Sequence, residues 1–411
     1  MKPLAHLWRL VGWKRLAVTG LCLVAWRALE QIPVAGLNPR LINQLLQATD
    51  TTNLIHAIGG GIPLARYSIV AMGIGPYITA WILMSMAPLF SVRLREMRDS
   101  PVGRQSVQLW TRALAVALAA GQAYSWTVLM QSPTTPPQLD AMDWFTRLAI
   151  VLQLTGGTMV MVLLADTFNE FGLGFGHGAI LLYALNPLPI ELQRLAQLFA
   201  STPSMQAVYL PFAIWVLCSI AVVVATVAVF RAARRVALIP GEILRGPKQV
   251  DLKLVMSGVL RPPEFAGDVL FMPVAIANVY SNPGLLRWTY DVMTPYGPNP
   301  WTDLAFLGVD ASLLIAFAYF VVAVDYVGTT IPRSLVPHIF RVTFIGGSFL
   351  VVTVVLMPVV AHFATQATGM LIPFSGFQAV LLTTAILRIV VSPYGVGTKD
   401  DGVPVLTSRL P

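Results

Sequence analysis

Ala65-Arg-Tyr-Ser-Ile-Val-Ala-Met-Gly-Ile-Gly-Pro-Tyr-Ile-Thr-Ala80 is the stretch on which the reading of this chain turns. Arg66 is its last charge. From Ser68 the chain stays uncharged to Phe90, long enough to cross a hydrocarbon core of about 30 Å. Just before it, Asn53 to Arg66 contains Gly59-Gly60-Gly61 and is too short and too glycine-rich to span. A re-entrant or half-inserted segment is therefore predicted. Such irregular backbone is tolerated at membrane depth only where protein or a water-filled cavity satisfies it.

Working outward, further apolar runs predict spans at about 16–32, 113–130, 144–164, 179–195, 208–230, 265–280, 304–324, 342–363 and 374–391. Composition agrees. Of 411 residues, 56% are hydrophobic and 11% charged. A soluble domain carries about 25% charged residues, so this chain cannot coat a water-exposed surface. Cys22 and Cys218 both lie in apolar runs and read as small packing residues. The basic stretch Met1 to Arg15 reads as a cytoplasmic flank rather than a cleaved signal.

The net charge of +8 is placed by topology, not by nucleic acid. Lys and Arg gather in 1–15, 93–112, 231–253, 333–341 and the tail, and are scarce in 131–143, 283–303 and 363–373. That alternation fits ten spans with both termini on the cytoplasmic side. Ten spans divide into five and five near residue 200, and an odd number per half makes related halves inverted. No strong residue-level self-similarity relates them.

Collinear motifs then point to one family. The opening stretch, Arg27 with Ile32-Pro33-Val34-Ala35-Gly36-Leu37, Gly103-Arg104, and Trp110-Thr111-Arg112 are the first of them. Gly157-Thr158-Met159, Asp166, and Glu170-Phe171-Gly172-Leu173-Gly174 follow. Leu252-Lys253, Gly258-Val259-Leu260, Phe265-Ala266, and Arg341-Val342-Thr343-Phe344-Ile345-Gly346 complete the series. Over about residues 15–390 the chain resembles the SecY family, the channel-forming subunit of the protein translocase. The resemblance implies an all-α polytopic membrane protein with ten transmembrane helices in two inverted five-helix halves. It implies a SecY-like clamshell with a plug, and a lateral gate made mainly by the second and seventh spans. The halves would be 1–200 and 201–393, with a short cytoplasmic tail at 394–411.

Carried over position by position, the family's apolar pore ring falls on Ile74, Ile78, His177, Leu181, Glu264 and Leu381. Such a ring blocks ions by dewetting and fits around a passing chain. Ile74 and Ile78 are four apart and share a helix face, as do His177 and Leu181. His177 and Glu264 depart from the family's pattern, and a charge at the bilayer centre costs about 2.5–3.5 kcal/mol on insertion scales. One reading has these two meet as a polar gate. The other turns Glu264 out of the pore to pair with Arg261 at the membrane surface. Asp268, four residues on, continues the same stripe. The plug would be about 53–64, with Asn53, Gly59, Gly60 and Gly61, and Arg66 beside it.

The resemblance also implies SecE-like and SecG-like small membrane subunits, a SecA-type motor or the ribosome, and a polypeptide substrate within the lipids of a bacterial inner membrane. Arg234, Arg235, Arg245, Lys248 and Arg333 would make the cytoplasmic contacts, or serve as topology and anionic-lipid signals. The loop after the eighth span is much shorter than the family's, which argues for an accessory or substrate-restricted paralogue. No phosphate-binding loop or nucleophile–base arrangement is present, and the histidines lack metal spacing, so no enzyme activity and no cofactor are expected. Two competing readings are a proton-coupled solute carrier using His177, Glu264 and Asp268, and a non-conducting regulatory paralogue.

Overall fold

The computed structural model describes residues 13–35, 68–130, 143–173, 178–185, 205–237, 249–279, 300–327, 331–360, 363 and 376–391. Within them a helix stands at every predicted span. In chain order these are α1 (Trp13–Leu29), α2 (Gly75–Met86), α3 (Val92–Asp99), α4 (Pro101–Met130) and α5 (Trp144–Glu170). Then come α6 (Gly178–Leu185), α7 (Met205–Arg231), strands β1 (Ala233–Ala237) and β2 (Gln249–Lys253), α8 (Arg261–Val279) and α9 (Pro300–Asp325). Last are α10 (Val336–Leu350), a π-helical stretch Val351–Leu356 that continues it, and α11 (Gly376–Val391). The helix α3 is a short addition in the charged loop after α2.

Trp144–Glu170, Phe212–Arg231, Leu304–Asp325 and Val336–Val360 are long and apolar enough to cross a membrane. Helices suit that medium because each backbone group is satisfied within its own segment. Several hydroxyls inside them also bond within their own helix. Thr158 donates to the Leu154 carbonyl at 3.2 Å, Thr226 to Val222 at 2.7 Å and Thr383 to Ala379 at 2.7 Å. Ends are marked by chemistry legible in sequence. Asp143 caps α5 by accepting from the Thr146 N–H at 3.2 Å. Ser91 caps α3, and Pro76 starts α2, where its missing N–H is not needed.

The chain forms two compact units, Met1–Pro187 with Asp268–Phe306, and Leu188–Gly267 with Leu307–Pro411. Each contains the same joint. In the first, the Ile69 N–H donates to the Ile32 carbonyl at 3.0 Å and Pro33 bridges Ser68. The Gly73 N–H then donates to Val70 at 2.8 Å, Gly73 takes φ 55°, and α2 begins. In the second, the Leu254 N–H donates to the Ala232 carbonyl at 3.3 Å and Ala233 pairs with Lys253. The Gly258 N–H donates to Val255 at 3.4 Å, Gly258 takes φ 73°, and α8 begins. A positive φ of this size is strained for any residue with a Cβ, so glycine stands at both turns. The repeat that no residue-level similarity revealed is thus carried by backbone geometry.

Each joint is seated in a core. Val34, Ala71 and Met72 pack with Ala123 and Trp126 of α4 and Ile150 and Leu154 of α5. In the other unit Met256 packs with Val322, Tyr326, Leu335, Ile339 and Val342, where α9 turns into α10. Val236, Val250 and Leu252 of the strands join that second core. The basic loop after α7 is therefore a hairpin at its base. Its register sets Arg235 opposite Asp251, and their side chains meet at 3.4 Å while both stay exposed. The alternation Gln249-Val250-Asp251-Leu252-Lys253 was the strand signal that a loop reading passed over.

Candidate functional site

The second unit's site grows from the start of α8. Arg261 is 7% exposed. Its guanidinium donates to both carboxylate oxygens of Asp325, at 2.9 and 2.7 Å. This fork geometry matches a carboxylate bidentately, which is how arginine is best held away from water. The sequence offered Arg261 as a partner for Glu264; the structure commits it to Asp325, which sequence reasoning left unassigned. The two are 64 positions apart in the chain, so no local spacing announces the pair. Beyond Arg261, the Phe265 ring stacks on Phe317 with centroids 5.2 Å apart. Ala266 packs with Leu314 and Val355.

Glu264 lies in the first turn of α8, half-buried, its N–H donating to the Leu260 carbonyl at 3.2 Å. Asp268 is exposed one turn on. Leu381 of α11 is fully buried. Helix α11 packs on α7 and on the π-helical stretch.

In the first unit, Ile74 and Ile78 stand at the start of α2, each 2% exposed. Leu181 of α6 is buried as well. The link between α5 and α6 is fastened from two sides. The Gly178 N–H donates to Asn169 Oδ1 at 2.6 Å, and the Leu173 N–H donates to Thr19 Oγ1 of α1 at 3.0 Å. Arg112 of α4 donates to Asp166 of α5 at 2.7 Å, joining two residues that the family motifs had marked separately. Thus Ile74, Ile78 and Leu181 belong to one unit and Glu264 and Leu381 to the other. His177, the plug positions Asn53, Gly59, Gly60 and Gly61, and Arg66, Arg245 and Lys248 lie outside the described residues.

Of the cytoplasmic candidates, Arg235 and Arg333 are exposed and Arg234 is half-buried in β1. Only residues 326–335 connect α9 to α10, and Leu335 within them is fully buried. Among the described residues, no three His, Cys, Asp or Glu side chains gather as a metal site.

The SecY family model matches residues 68–331. A protein translocase subunit SecY of Staphylococcus epidermidis is 26% identical over 369 residues, covering 82% of this chain and 84% of the relative. The SecY of Pseudomonas aeruginosa is 28% identical over 298 residues, covering 70% and 66%. Among solved structures, a protein-conducting channel superposes with TM-score 0.57 at 16% identity, covering 93% of this chain and 92% of that one.

Proposed function

This chain belongs to the SecY family, and we propose that it serves its membrane as an accessory or substrate-restricted protein-conducting channel. The family's function is that of a channel subunit for polypeptides, in a multi-pass membrane protein, and the homologues favour it over a solute carrier or a silent scaffold. The observation that carries the reading is the extent of the family match. It runs from Ser68, at the first joint, through the second joint and past α9.

In this reading the halves are 1–200 and 201–393, followed by a tail at 394–411, with both termini cytoplasmic. Ile74, Ile78, His177, Leu181, Glu264 and Leu381 form the constriction. The segment 53–64, with Asn53, Gly59, Gly60 and Gly61 and flanked by Arg66, is the plug. The burial of Ile74, Ile78, Leu181 and Leu381 supports their use as apolar wall. SecE-like and SecG-like subunits complete the assembly. Arg234, Arg235, Arg245, Lys248 and Arg333 face a cytoplasmic partner. The shortness of the α9–α10 connection, whose Tyr326 and Leu335 lie in a core, is what argues for a restricted role.

The test places single cysteines at Ile78 and Leu181 after replacing Cys22 and Cys218, and crosslinks in native-like membranes. Adducts to a polypeptide in transit, with a SecE-like subunit or a motor, are expected. Reaction with lipid alone sinks the proposal.

A further inference from the structure

We propose that Arg261 and Asp325 are positioning residues of the channel, anchoring the start of α8 so that the helix moves only beyond Ala266. This rests on the channel reading above and on the family resemblance, which makes the seventh span, here α8, part of a lateral gate.

The helix is built in two parts. From Arg261 to Ala266 it is buried at every position except the half-buried Glu264. From Gly267 to Val269 it is exposed, and the boundary between the compact units falls between Gly267 and Asp268. The buried part is held by three contacts on one partner helix, α9. These are the Arg261–Asp325 fork, the Phe265–Phe317 stack, and Ala266 against Leu314. The exposed part begins with a glycine whose added Cβ would meet nothing within 4 Å, so packing does not explain its presence. Six residues later Pro273 sits inside the helix, lacks an N–H, and leaves the Val269 carbonyl without its helical donor. Glycine and proline at this spacing make 267–273 the soft section of α8.

The charges also sit at the wrong helix ends for any local purpose. Arg261 opens a helix, where the backbone dipole is positive, and Asp325 closes one, where it is negative. Each end repels the charge it carries, and both side chains are nearly out of water, at 8% and 12% exposure. Only their pairing satisfies them. The fork fixes one helix end on another, and the end it fixes on adjoins a buried core. Tyr326, next in the chain, lies in the core shared with Val236, Leu252 and Leu335.

The test reconstitutes the full chain with its partners in planar bilayers and counts openings per folded channel. R261K keeps the charge but loses the fork; R261Q and D325N break the pair; R261D with D325R swaps it. Stability of each variant is read separately by thermal unfolding. Expected are at least tenfold more frequent spontaneous openings in R261K, R261Q and D325N, return toward wild type in the swap, and suppression when G267A is added to R261K. A pair that only holds the fold would lower the yield and unfolding temperature of the single variants while leaving openings per folded channel unchanged, which overturns the inference. So does a swap that behaves like the single variants. Wild-type openings elicited by a translocating polypeptide separate the two levels: if they are absent the channel reading fails and takes this inference with it, and if they are present but indifferent to every variant, this inference alone fails.

Discussion

Gly157 of α5 lies against the backbone carbonyl of Ile69, where a single added Cβ would collide with the oxygen. Gly346 of α10 stands in the same relation to Leu254. Ile69 and Leu254 each precede their positive-φ glycine, Gly73 and Gly258, by four residues. A long helix is thereby brought against the segment that launches α2 in one unit and α8 in the other. Between membrane helices there is little hydrophobic force, and small residues that allow close backbone approach take over the task.

Gly157→Ala is therefore expected to destabilise the protein by about 1–3 kcal/mol or more, the range for overpacking a filled site. Gly346→Ala should behave alike. Gly156→Ala is the internal control, because a Cβ there meets nothing within 4 Å. Thermal unfolding in detergent or nanodiscs checks this, and equal effects at Gly156 and Gly157 would refute the close-approach account.

Gly73→Ala and Gly258→Ala test the twin turns from the other side. At Gly258 an added Cβ finds open space, so any loss there comes from backbone strain alone, at φ 73°. A left-handed residue with a Cβ costs about 1–2 kcal/mol. Gly258→Asn, which tolerates that region better, should recover part of the loss in the same unfolding assay.

The hairpin base gives a graded prediction. Leu252 is fully buried, so Leu252→Ala should cost about 2–5 kcal/mol by cavity formation. Arg235→Gln should change stability by about 1 kcal/mol at most, since its contact with Asp251 is exposed. Chemical unfolding of the two variants side by side decides whether the strands are held by their apolar face or by their charges.

At the start of α5, a hydrogen bond from Thr146 holds the exposed Asp143 carboxyl below the usual carboxylate range. The sign follows. A depressed pKa means that the cap is fully present above about pH 4, the ordinary value, and is lost as pH falls below it. Amide exchange at Thr146 should be slow at pH 7, and opening there should become easier below pH 4 once the intrinsic pH dependence is removed. Asp143→Ala should show the easier opening at both pH values.

Most of the scaffold could be read directly. Runs of uncharged residues such as Ser68–Phe90 mark a membrane segment whose backbone is satisfied mostly by helix, although Ser68–Ile74 forms the joint and α2 begins only at Gly75. Loop charge gives the expected direction of each span. The family motifs marked Gly157, Asp166 and Gly258 without saying what they touch. The structure shows the first against a carbonyl, the second paired with Arg112, and the third in a left-handed turn. Glu264 shows the limit of such reading. Its neighbour Arg261 was the obvious local partner, yet the guanidinium reaches Asp325 instead.

The sequence by itself determined the medium, the number of spans and the family, because those depend on composition and on patterns local in the chain. Only the tertiary structure decided that one joint is built twice, that a basic loop is paired at its base, and that Arg261 belongs to Asp325. Each of these rests on contacts between distant positions, where backbone approach and charge burial carry no local periodicity to read.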